Sequence, residues 1–119
     1  MTATKVNILG TEYSIHIKTV DEEPCLKELN GFCDSFSKNI VILDLDRTEH
    51  WKEEPKETKE SSMKETLRHE IIHAFFNESG LQYSALSFDG AWCKNEEMID
   101  WFAIQSPKIF KAFKELELL

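Results

Sequence analysis

The stretch Thr66-Leu67-Arg68-His69-Glu70-Ile71-Ile72-His73-Ala74-Phe75-Phe76 sets two histidines four positions apart, with a glutamate and two isoleucines between them, inside an apolar run. Just upstream, Ser62-Met63-Lys64-Glu65 has the Ser-x-x-Glu spacing in which a serine side chain and a glutamate satisfy the free amide donors of a helix start. Gly80 supplies a stop. The spacing therefore predicts a helix from about Met63 to Ser79.

In a helix, positions four apart lie about 40° from each other around the axis and about 6 Å along it. His69 and His73 then project from one face and can share a metal ion. Glu70, one position on, flanks that face and can reach a water at the metal without being a ligand. Metal-assisted hydrolysis needs this arrangement: imidazoles hold Zn²⁺, the ion lowers the pKa of its water, and a carboxylate takes the proton as the water attacks a carbonyl. A His-Glu-x-x-His pattern arises by chance on the order of once in a few hundred chains of this size. A third ligand is therefore required before the pair carries weight.

Working outward, Val6, Ile8, Tyr13, Ile15 and Ile17 alternate on either side of Gly10-Thr11, which predicts a β-hairpin. Residues 21–30 are polar around Pro24, and Asn30-Gly31 is a turn signal. From Phe32 to Leu45 the pattern predicts a short strand, a turn and a β-branched strand. Arg47 to Ser61 is charged, without apolar periodicity, and reads as an exposed loop or a ragged lead-in to the helix. Beyond the histidines, a loop carries Tyr83, Phe88, Asp89-Gly90, Trp92 and Cys93. Asn95 is a good N-cap for a second helix, Glu96 to Gln105, with Met98, Ile99, Trp101, Phe102 and Ile104 as core candidates. Ser106-Pro107 marks the start of a third helix to about Leu116, with Ile109, Phe110, Phe113 and Leu116 in its core face. The expectation is an α+β fold over residues 1–119 as a single domain: a small antiparallel or mixed sheet of three or four strands followed by three helices.

The chain has 119 residues, enough for one hydrophobic core. Its 14 Lys plus Arg against 22 Asp plus Glu leave a formal charge of -8, and no basic run interleaved with aromatics occurs. Nucleic acid and anionic membrane surfaces are therefore excluded as expected partners. The first residues lack an apolar leader after a basic start, and no run of about 18 apolar residues follows. Cys25, Cys33 and Cys93 are odd in number and widely spaced, which fits a reducing cytoplasm and not a disulfide scaffold.

An extended metzincin-type motif continues with Gly at position 76 and His at position 79. Here Phe76 and Ser79 stand instead, so that subclass is excluded. Downstream, Asn95-Glu96-Glu97-Met98-Ile99-Asp100 resembles the gluzincin pattern Asn-Glu-x-x-x-Asp on a second helix after His-Glu-x-x-His. The resemblance implies Glu96 as the third zinc ligand beside His69 and His73, and Asp100 as the residue that orients a ligand histidine through its free ring N–H. Glu97 is a rival third ligand, and Glu78, Cys93 and His50 are weaker ones.

The strands, the two motifs and the small size together look like a minimal zincin. The plan is similar to that of the compact ImmA/IrrE-type metallopeptidases and small zincin-like proteins encoded in bacterial prophages, over roughly residues 30–110. Membership implies a cytoplasmic protein with one Zn²⁺, peptide-bond hydrolysis with Glu70 as general base, and a protein or peptide substrate paired along a sheet edge at Asn39 to Leu45. The large second lobe of gluzincins, which supplies an oxyanion-stabilising residue, has no room here; Tyr83 and His50 are the substitutes. The alternative function is a non-catalytic, zinc-stabilised module that binds a partner protein, with Cys93 as a fourth ligand closing the coordination sphere.

Overall fold

The computed structural model of the chain describes residues 5–83 and 91–119. Phe88, Asp89 and Gly90 lie outside the described residues, as does the side chain of Tyr83. The hairpin forms from β1 (Lys5–Ile8) and β2 (Thr11–Lys18), antiparallel with Ile8 opposite Thr11. Its two-residue turn puts both Leu9 (φ 51°) and Gly10 (φ 93°) in the left-handed region, the requirement of a type I′ turn. β3 (Gly31–Asp34) and β4 (Asn39–Leu43) pair antiparallel, and β4 also pairs parallel to β2. The strand order is β1-β2-β4-β3.

This order explains the apolar run Ile40-Val41-Ile42-Leu43. All four side chains are buried, although successive residues face opposite sides of the sheet. A central strand requires that pattern. The substrate edge expected at Asn39 to Leu45 is therefore corrected: β4 is interior, its backbone groups are committed to β2 and β3, and β3 is the edge strand on this side.

The first helix, α1, spans Lys56–Glu78 and starts seven residues before Met63. Pro55 occupies the N-cap with φ -56° and accepts from the Lys59 amide at 3.1 Å. Ser62 lies inside the helix and its capping-box role is not used. The charged lead-in is helical because its charges pair locally, Lys64 with Glu60 at 3.1 Å, and across to the sheet end, Lys59 with Asp46 at 3.1 Å. Met63, Leu67, Glu70, Ile71 and Ala74 form one stripe that packs onto the sheet. At the far end, Glu78 accepts from the Tyr13 hydroxyl at 2.6 Å and the Thr11 hydroxyl at 3.1 Å, and pairs with Lys38 at 2.6 Å. The end of α1 is thereby pinned to β2 and to the turn between β3 and β4, and these bonds hold the Glu78 carboxyl below its ordinary range, that from Lys38 contributing most.

The expectation of three helices is overturned. One helix, α2, runs unbroken over Glu96–Glu115, with Pro107 inside it, so the fold is a four-stranded mixed sheet followed by two α-helices, α+β overall. Proline at 107 has no N–H for the carbonyl of Ala103, a loss that normally breaks or kinks a helix. Here the Arg68 Nε donates to that carbonyl at 2.6 Å. The core list changes too: Ile99 and Ala103 are buried, but Trp101, Phe102, Ile104, Phe110, Phe113 and Leu116 are exposed. Among the described residues no helix is long and apolar enough to cross a membrane.

Gly31 sets how closely β3 approaches α1. A Cβ there meets the Val41 carbonyl oxygen at 2.9 Å and the Thr66 Cγ2 at 3.0 Å. Gly31→Ala is expected to cost about 1–3 kcal/mol in urea denaturation by forcing strand and helix apart. Unchanged stability contradicts this packing.

Candidate metal centre

The site is built from one face of α1 and the first turns of α2. The Asn95 side chain accepts from the Met98 amide at 2.9 Å, which caps α2 and fixes where its first turn begins. Glu96 then reaches across to α1. One of its oxygens lies 3.1 Å from His69 Nε2 and the other 3.3 Å from His73 Nε2. His69, His73 and Glu96 each offer a ligand atom, all within 4.8 Å of one another. The two rings meet edge-on with centroids 4.9 Å apart. Glu97, on the same first turn, is exposed and outside this group; Glu78, half-buried and bound to the sheet, is outside it too.

Asp100, one turn further along α2, accepts from His69 Nδ1 at 2.7 Å. A proton held at Nδ1 leaves the Nε2 lone pair of the neutral ring facing Glu96. Burial pushes the His73 pKa down, which favours its neutral ring as well, against the opposing pull of Glu96. With Nε2 unprotonated on both rings, two imidazole lone pairs and a carboxylate converge. That donor set fits a borderline cation such as Zn²⁺, for which nitrogen and oxygen ligands are suited.

Glu70 differs from its neighbours because it belongs to the buried stripe. It is 6 % exposed, and its Oε1 lies 3.8 Å from His69 Nε2. Burial raises its carboxyl to about 7; the nearby His69 opposes the rise, and Glu96 and Asp100 add to it. A carboxyl poised near neutrality can both take and return a proton.

In front of these side chains lies an open cleft of about 590 Å³. Its floor is His69, Glu70, His73 and Glu96, one wall is Gly31, Phe32 and Cys33 of β3, and Lys94 stands at its rim. Sequence reasoning missed this wall, and the signal was available: the unbroken apolar run of β4 marks a central strand, which leaves β3 as the edge. Cys33 is half-buried, and burial with the Glu70 charge nearby pushes its thiol up to about 12. Cys93 is buried and belongs to no metal-ligand group among the described residues. His50 sits on a short 3-10 turn, Glu49–Trp51, beside a different hollow formed with residues such as Thr19 and Leu26. It is not brought to the cleft. Comparison with known proteins finds no matching family model, curated protein or solved structure.

The buried carboxyl has a measurable consequence without any metal. Its native pKa is raised, so the folded state holds the proton more tightly than the unfolded chain, and the fold loses stability as pH rises from about 4.5 to about 7. In chelator-treated protein, Glu70→Gln is therefore expected to be more stable than the parent at pH 8, by up to about 3 kcal/mol, with the difference fading below about pH 5. The opposite shift of His73 is common to both proteins. Equal stabilities at pH 8 in urea denaturation contradict the burial of a charged Glu70.

Proposed function

We propose that this protein is a zincin-type metallopeptidase of the gluzincin-like kind, a cytoplasmic hydrolase that takes protein or peptide substrates. The single observation that carries this reading is the convergence of His69, His73 and Glu96 beside a buried glutamate in an open cleft. His69, His73 and Glu96 would hold the ion. Zn²⁺ bound there supplies Lewis acidity, polarising a carbonyl and making water acidic near neutral pH.

The chain's own residues do the rest. Asp100 keeps the Nδ1 proton on His69 and so presents Nε2 to the site. Glu70, neutral or ionised with equal ease near pH 7, takes a proton from the attacking water and returns it to the leaving amine. The free edge of β3 offers backbone groups to an extended peptide, laying its scissile bond across the cleft. Cys25, Cys33 and Cys93 are all free thiols, which supports a reducing compartment. The reading as a closed, non-catalytic zinc module draws no support from Cys93, which lies outside the ligand group.

Metal analysis of untagged protein is expected to find about one zinc per chain in the parent and none in His73→Ala or Glu96→Ala. Glu70→Gln should keep its zinc and lose hydrolysis of a mixed peptide library by at least about 100-fold. A Glu70→Gln protein that retains zinc and cleaves as fast as the parent removes Glu70 from the mechanism.

A further inference from the structure

The contacts between α1 and α2 step in opposite directions along the two helices. His73 meets Glu96, His69 meets Glu96 and Asp100, and Arg68 meets Ala103. Glu96, Ile99, Asp100 and Ala103 thus lie on the stripe of α2 that faces α1, and Ile99 and Ala103 are its buried members. The polar contacts at the site end of this stripe are poor anchors on their own. Glu96 and Asp100 have largely exposed side chains, and their charges repel each other and Glu70.

The Arg68 contact is of another kind. The guanidinium's partner is a backbone carbonyl in a fixed place, not a mobile side chain. That carbonyl is free only because residue 107 is proline; any other residue there would return an N–H to Ala103 within the helix. Arg68 and the Ala103 carbonyl therefore make a donor–acceptor pair two turns from Glu96 that needs no metal.

We propose that Arg68 is the positioning residue of the site: by bonding the Ala103 carbonyl that Pro107 leaves free, it fixes the register of α2 on α1 and holds Glu96 and Asp100 against the histidines. This rests on the metal-site reading above and deepens it. The guanidinium touches neither ligand nor substrate and acts only through the placement of α2.

The test uses Arg68→Met, which keeps an unbranched stem but no donor, Arg68→Lys, which restores a cationic donor, and the same Arg68→Met change in a Pro107→Ala background. Two readouts are taken on folded protein well below its melting temperature: the imidazole tautomer of His69 by ¹⁵N NMR without metal, and zinc affinity by competition with a chelating dye. Arg68→Met is expected to lose the Nδ1–H tautomer preference of His69 and to weaken zinc binding about tenfold or more. Arg68→Lys should recover part of both. With Pro107→Ala the penalty of Arg68→Met should shrink, because the helix then supplies its own N–H to Ala103. An unchanged His69 tautomer and a zinc affinity within about twofold of the parent in Arg68→Met overturn the proposal. An equal penalty in both backgrounds overturns the role given to Pro107. Should Arg68→Met not fold, the Arg68→Lys protein in the two backgrounds carries the same comparison. A parent that binds no zinc while the tautomer effect appears refutes the metal reading and leaves the positioning of Asp100 by Arg68 standing.

Discussion

The close approach of α1 to the sheet is the constraint on which the other features hang. With only hydrogen at Gly31 between strand β3 and the Thr66 side of the helix, the stripe of Met63, Leu67, Ile71 and Ala74 sinks into the sheet and carries Glu70 with it. A glutamate in a core stripe is expensive when charged, and its pKa moves toward neutrality in response. The histidines, further round the same helix, line the cleft floor beside it, half-buried and within reach of α2. Helical periodicity thus sorts one short segment into a buried carboxyl and two half-buried imidazoles.

The second half of the site comes from α2, and bringing it there is an electrostatic problem. Glu70, Glu96 and Asp100 are gathered around two imidazoles in a chain that already carries a formal charge of -8. Such a cluster is stable only with protons or a cation to balance it, or with an anchor outside it. Asn95 sets the start of the helix, and Ile99 and Ala103 seat it on α1. Arg68 supplies a bond to α2 that does not depend on the state of the cluster. A divalent ion bound there, as proposed, would offset the cost of gathering like charges.

Much of this could be read from the residues because the signals are local. The alternation from Val6 to Ile17 gives the hairpin, and the four-residue spacing of His69 and His73 places them on one helical face. What could not be read depends on partners distant in the chain. Ser62-x-x-Glu65 has the spacing of a helix start, but Pro55 and the pairing of Lys59 with Asp46 begin the helix earlier. Ser106-Pro107 looks like a boundary until Arg68, 35 residues before Ala103, satisfies the Ala103 carbonyl that the proline abandons. Periodicity marked Phe110, Phe113 and Leu116 as core, yet it reports only that a helix has an apolar face, not that something covers it.

The central claim is that two imidazoles and one carboxylate, with no thiolate, form a cation site. X-ray absorption at the zinc edge, on protein reconstituted with one equivalent of Zn²⁺, tests it most directly. The account predicts a shell of nitrogen and oxygen at about 2.0–2.1 Å with outer scattering from two imidazole rings. A sulfur shell at about 2.3 Å, an all-oxygen shell without imidazole scattering, or zinc that washes away on desalting contradicts it.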